Sequence, residues 1–303
     1  MPQARSKPSD IAAEAKRIFF LEAEKRCPNL PAKSIFYQDA SKLVVGPGTV
    51  QKRKLRVAVI DGDPLDVALD WHEHNLQSGV QNMRNPGPQT IPIVNMANEK
   101  RAGGDWESGL MAPEECLCRR SNLVQALKTP YNSNPPMSHY PIPRFGVIYS
   151  PHVVIFRSGA EDGYVPWSRF KNLPVISIAP IKRPKLLESG TEYSFDEEKD
   201  IMKEKMRSIL RIAAIHHHVD LCMGAFGVGP GFRNPPALIA SMWRSVLFEE
   251  AEFHGVFANV VFAIETTAES SAQGGLSDHD VFKKEFDPSN IVKTSYRPPV
   301  NGR

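Results

Sequence analysis

Apolar positions along this chain repeat with two periods. Leu55 to Ile60 is a short β-rich run that stops at Asp61-Gly62-Asp63-Pro64, and beyond it Leu65, Ala68 and Leu69 recur at i, i+3 and i+4. That pattern predicts strand, tight turn and helix, with Asp63 as cap and Pro64 in the first helical position. The same grammar returns downstream. Ile91 to Ala97, Gly146 to Ser150, Val153 to Phe156, Leu173 to Ile181, Val219 to Met223 and Val256 to Ile264 all read as strands. Between them, Met202, Met206, Ile209, Leu210 and Ala213 form a helical stripe, as do Ile239, Met242, Trp243, Val246 and Leu247. Asn234-Pro235-Pro236 is the expected cap and first turn of the second stripe. A further helix is expected over Ser9 to Arg26, ending before Pro28.

Strands alternating with helices predict a three-layer α/β/α domain. The expected organisation is a helical extension at 1–54 packed on a domain that spans 55–303 and includes a polar C-terminal tail from Thr267. Gln77 to Gln89 and Pro130 to Arg144 read as surface loops, being rich in Pro, Gly, Asn and Ser.

Composition narrows the class. The 303 residues are 41% hydrophobic and 23% charged, which excludes a wholly disordered chain and a coiled coil. The longest apolar runs fall far short of a membrane span, so no membrane partner is expected. The N-terminus reads as lacking a signal peptide. Four cysteines (Cys27, Cys116, Cys118, Cys222) at irregular spacing make no disulfide framework, which points to a reducing compartment, cytoplasm or nucleus. A net charge of +3, evenly spread, is not the footprint of a sequence-specific nucleic-acid binder.

Two glycine loops carry candidate chemistry. Gly224, Gly227, Gly229 and Gly231 lie between a strand and a helix, where backbone N–H groups and a helix N-terminus favour a phosphate. Their spacing is neither the dinucleotide fingerprint nor a P-loop. A turn rich in glycine for geometry alone is the competing reading. The second loop, Arg101-Ala102-Gly103-Gly104-Asp105, precedes Pro113-Glu114-Glu115 within ten residues. Proline followed by glutamates is how many helices begin, the acids complementing the dipole. Read chemically, one glutamate would protonate a leaving oxygen and the other would position, because neighbouring helical side chains point about 100° apart. His216-His217-His218 diverge on a helix, Cys116-Leu117-Cys118 lacks a zinc-knuckle gap, and no serine-hydrolase elbow is present. No metal and no cofactor is called for.

The combination of Ile93-Val94-Asn95-Met96-Ala97-Asn98, Gly103-Gly104, Glu114-Glu115-Cys116-Leu117-Cys118-Arg119-Arg120-Ser121-Asn122-Leu123 and Gly224-Ala225-Phe226-Gly227 resembles the microbial-type poly(ADP-ribose) glycohydrolases, which have a macrodomain fold. The likeness covers roughly 55 to 264. It implies a macrodomain-like α/β/α fold with a mixed central sheet and a cleft for ADP-ribose. By motif position Glu115 would be the general acid on the ribose–ribose bond, with water as nucleophile, and Glu114 would orient the ribose. Asn95, Asn98, Gly103, Gly104 and Asp105 would border the distal ribose. Gly224, Ala225, Phe226, Gly227, Val228, Gly229, Gly231 and Phe232 would wrap the diphosphate. Poly(ADP-ribose) or ADP-ribosylated protein would be the partner, and the alternative is an ADP-ribose reader with little or no turnover. The chain departs from the family where Asp105 replaces a third glycine, Pro113 a glutamine and Val228 a cysteine.

Overall fold

The computed structural model describes residues 7–46, 53–77, 90–129, 138–266 and 276–291. Its strands, in chain order, are β1 (Ile35–Tyr37), β2 (Arg56–Ile60), β3 (Ile93–Met96), β4 (Val147–Arg157), β5 (Pro166–Ile178), β6 (Asp220–Met223) and β7 (Asn259–Ala263). They form one sheet in the order β1-β4-β5-β3-β6-β7-β2. Pairing is antiparallel for β1-β4 and β4-β5, and parallel for β5-β3, β3-β6, β6-β7 and β7-β2. The sheet is therefore mixed, as the resemblance implied.

Helices cover both faces, which is why β3, β6 and β7 read as nearly unbroken apolar runs. On one face lie α1 (Pro8–Glu14), continuing through a π-helical turn (Ala15–Phe19) into α2 (Phe20–Arg26), then α3 (Pro64–Gln77), α4 (Pro113–Arg120) and α5 (Leu123–Lys128). Phe20, Leu69, Trp106, Leu127 and Phe156 fill that layer. On the other face α6 (Asp196–Ile215), α7 (Pro236–Phe248) and α8 (Asp278–Glu285) enclose Met206, Ile209, Trp243, Phe262 and Phe282. A final turn, α9 (Pro288–Ile291), follows. Among the described residues no helix is long and apolar enough to cross a membrane.

Several elements differ from the sequence reading. The two strands expected at 146–150 and 153–156 are one strand, β4, with a register shift between Ser150 and Val153. A bulge there accommodates Pro151, which has no N–H to give a ladder. β5 starts at Pro166 rather than Leu173, because its first half is partly exposed and carries no apolar signature. β1, within the segment read as a helical extension, adds an edge strand to the sheet. The polar tail folds in part: Phe282 and Phe286 of the α8 region stack around Phe262. Asn234 does not cap α7, whose flanking residue is Pro235. Gln77, read as the start of a loop, is the last residue of α3; residues 78–89 and 130–137 of the two expected loops lie outside the described residues.

Candidate active site

The parallel strands β3, β6, β7 and β2 end on one side of the sheet, and the segments leaving them converge there. This is where an open α/β sheet makes its crevice. A cavity of about 430 Å³ opens between them, lined by Asn95 and Met96 of β3, by Gly224, Ala225 and Val228 after β6, and by Pro113 and Cys116 of α4. That volume lies within the usual range for a small-molecule site.

The order α4 imposes on the acid pair follows from its start. Pro113 occupies the first helical turn, where a missing N–H costs nothing, and Glu114 and Glu115 fall next to the positive end of the dipole. Both side chains are nonetheless buried, at 3% and 6% exposure. Glu114 accepts the Asn98 N–H at 2.7 Å and the Asn95 side-chain amide at 3.2 Å. That amide also donates to Ser177 Oγ at 3.1 Å, tying the acid to β5. Glu115 Oε1 accepts the Asp105 N–H at 3.1 Å. Burial pushes the Glu114 carboxyl up to about 8, against the pull of the Asn98 and Asn95 hydrogen bonds and with a further push from Glu115. Glu114 is thus mostly neutral at pH 7.

Gly104 explains how both acids reach one place. Its φ is +54°, and a side chain there would overlap Glu115 Oε1 and lie 3.4 Å from Glu114 Oε2. The two carboxyls therefore converge on a single bare stretch of backbone, although the residues are neighbours on a helix. Gly103, at φ +76°, leaves equally little room, facing Val124, Trp106 and Cys118. Asp105, the departure that places a carboxylate in this loop, is ion-paired with Arg101 and points its N–H, not its side chain, at Glu115.

The second loop is held from behind. The Asn234 side-chain amide donates to the carbonyls of Gly227 at 2.7 Å and Ile181 at 2.8 Å, while its oxygen accepts the Tyr193 hydroxyl at 2.6 Å. Gly227 N–H meets Met96 Sδ at 3.1 Å, linking this loop to β3. Gly224, Ala225 and Val228 line the cavity. Phe226 does not: it is 1% exposed and packs edge-on against Trp243. Gly229, Gly231 and Phe232 continue the loop outside the cavity wall.

Sequence reasoning missed the acidic part of the cavity lining. Asp63, Asp66, Glu161, Asp162, Glu265 and Asp278 form it, with Arg120 as its cation. Arg120, 2% exposed, pairs with Asp63 at 2.9 Å and with Asp66. Burial lowers its pKa, but the two aspartates outweigh that and raise it. Burial and then Asp63 raise Glu265. The Arg-Arg pair of the motif was visible; its partners, more than fifty residues away, were not. The cavity wall includes the residues on either side of the acid pair but not Glu114 or Glu115 themselves.

A mixed seven-stranded sheet between two helical layers, with a glycine-bordered cleft at the strand ends, defines a macrodomain-like α/β protein. Residues 18–158 match the family model for the microbial-type PARG catalytic domain. Over that segment, just under half of its length, the chain resembles this family. It is similar in structure to the poly(ADP-ribose) glycohydrolase of Thermomonospora curvata, at 22% identity and a TM-score of 0.66, over 91% of this chain and 98% of that one. The same enzyme bound to the inhibitor ADP-HPD matches at 22% identity, TM-score 0.64, over 92% and 98%. The poly(ADP-ribose) glycohydrolase of Deinococcus radiodurans in complex with ADP-ribose matches at 21%, TM-score 0.60, over 86% and 96%. Likeness at this identity establishes the fold. No curated protein sequence matches the chain.

Proposed function

We propose that the chain hydrolyses the ribose–ribose O-glycosidic bonds of poly(ADP-ribose), including polymer attached to protein, with Glu115 as general acid and water as nucleophile. The observation that carries this reading is the convergence of the Glu114 and Glu115 carboxyls on Gly104 beside the cavity. A proton passes from Glu115 to the leaving oxygen as the glycosidic C–O bond breaks. Water adds to the anomeric carbon and returns its proton to the carboxylate, so no protein nucleophile and no cofactor is required. Asn95 and Asn98 fix Glu114, which in turn orients the ribose. A neutral Glu114 adds no negative charge of its own beside an anionic ligand. The 224–232 loop faces the diphosphate, and the carboxylate wall suits the hydrogen-bond donors of the base. Four free cysteines support a reducing compartment, cytoplasm or nucleus.

A second reading, an ADP-ribose reader with little turnover, is favoured by the burial of Glu115 behind the cavity wall. Free ADP-ribose released from poly(ADP-ribosyl)ated protein, followed by chromatography with mass detection, separates the two. Release by the wild type that falls about 100-fold or more in Glu115→Gln supports catalysis. ADP-ribose binding without release leaves the reader.

A further inference from the structure

Beyond the cleft, the end of the molecule past the diphosphate loop has the opposite charge from the carboxylate wall. Lys182, Arg183, Lys185 and Arg233 are all exposed and come from two segments, 180–185 and 229–233, that contain no acidic residue. The Arg183 N–H donates to the Phe232 carbonyl at 2.6 Å, and the Phe232 and Arg233 N–H groups both fold back on the Gly229 carbonyl, at 3.2 and 2.8 Å. Asn234 closes the join by holding Ile181 and Gly227 together. The basic cluster is thus built onto the loop that borders the cavity.

Two of its members occupy unusual backbone. Arg183 has φ +54° and Arg233 φ +62°, a left-handed conformation that glycine or asparagine adopts with less strain. Retaining arginine at both costs folding energy, and among the described residues no carboxylate side chain forms an ion pair with any of the four cations. Lys185 lies 5.7 Å over the Phe195 ring, and Glu198 nearby takes only its backbone N–H, at 3.3 Å. Left-handed arginines that no ion pair offsets are a reason to look for a ligand that these side chains serve.

We propose that Lys182, Arg183, Lys185 and Arg233 form an accessory subsite for the phosphates of a second ADP-ribose unit, so that the protein prefers polymer to single ADP-ribose. The inference rests on the reading of the cleft as an ADP-ribose site. A poly(ADP-ribose) chain carries a diphosphate in every unit, so a chain seated by one unit presents further anions outside the cleft. Guanidinium and ammonium groups on the rim next to the first diphosphate meet them by charge complementarity.

The test compares binding of ADP-ribose and of a defined poly(ADP-ribose) chain to the wild type and to Lys182→Gln/Arg183→Gly/Lys185→Gln/Arg233→Gly. Glycine at 183 and 233 suits the positive φ, so this variant keeps its backbone. Lys182→Gln/Lys185→Gln serves as a second variant that leaves the strained positions alone. The expected result is unchanged affinity for ADP-ribose and about ten-fold weaker polymer binding at low salt. The slope of log Kd against log salt should fall by about 0.7 for each phosphate that the variant no longer neutralises. Equal losses for both ligands, or no loss for either, would overturn the subsite. So would single-stranded RNA of matched charge binding as tightly as polymer and losing as much, since the patch would then be a general polyanion surface. A wild type that binds no ADP-ribose at all would instead bring down the reading of the cleft itself.

Discussion

The carboxyl of Glu114 accepts the backbone N–H of Asn98 at 2.7 Å, so the first turn of α4 is fastened to the exit of β3. Burial and that attachment act in opposite directions on the acid, and burial wins, lifting it to about 8. The folded state therefore binds a proton more tightly than the unfolded chain does. The stability this gives is complete below about 4.5 and is lost as pH rises towards 8. Each unit of difference is worth about 1.4 kcal/mol. Glu114→Gln keeps an acceptor for Asn98 and cannot ionise. Thermal unfolding across the range from about pH 5 to about pH 8 should show a falling Tm for the wild type and a flatter profile for the variant. Identical profiles would mean the proton is not held there.

Gly104→Ala tests the convergence of the acids. The atom a new Cβ meets is the tip of the Glu115 side chain, which can swing away, so the fold tolerates the change better than the site does. A left-handed alanine costs about 1–2 kcal/mol. A displaced acid costs on the order of 100-fold in turnover. Release of ADP-ribose should therefore drop far more than Tm; a variant that turns over at the wild-type rate would show that Glu115 does not need this position.

Asn234→Ala removes three hydrogen bonds at once and leaves the Gly227 and Ile181 carbonyls and the Tyr193 hydroxyl without it. Each orphaned buried group costs about 1–3 kcal/mol. Chemical denaturation should show a loss of about 3 kcal/mol or more. Calorimetric titration should also show weaker ADP-ribose binding, because the 224–232 loop loses its anchor. Full affinity in the variant would argue that the loop is rigid without it.

At the far end of α6, His216 Nε2 meets the Tyr37 hydroxyl at 2.9 Å and His218 Nε2 meets the Tyr149 hydroxyl at 2.8 Å. His216 also stacks on Tyr149, with centroids 3.7 Å apart. Burial drives His216 down to about 4 and His218 to about 3, helped by repulsion among the three adjacent histidines. Their unfolded forms protonate near 6.5, so stability is lost as pH falls below that value towards 3. Circular dichroism during acid titration should show His218→Gln unfolding less steeply over this window, though from a lower starting stability. An unchanged slope would place the acid-sensitive groups elsewhere.

Much of the architecture was legible because it rests on local period. Leu65, Ala68 and Leu69 announced α3, and Asp63 caps it as expected, accepting the Leu65 and Asp66 N–H groups at 3.0 Å. The helical stripes of α6 and α7 and the buried strands β3, β6 and β7 followed from the same logic, since one face or both must be apolar to enter the core. The Glu-Glu and glycine-loop motifs were likewise visible as sequence.

What the chain alone determined was which segments become strands and helices and which residue types stand at the loops between them. The tertiary structure decided the rest, because it depends on contacts between residues far apart in the chain. Only the pairing of β3 with β5 brings Ser177 to Asn95 and so fixes Glu114. Only the closeness of Gly104 to α4 turns two adjacent, diverging glutamates onto one point. The carboxylate wall with Arg120 and the Asn234 anchor have no local signature either, and only the fold brings Arg233 beside the basic run at 182–185. Charge and hydrogen bonding act through space, and folding alone sets those distances.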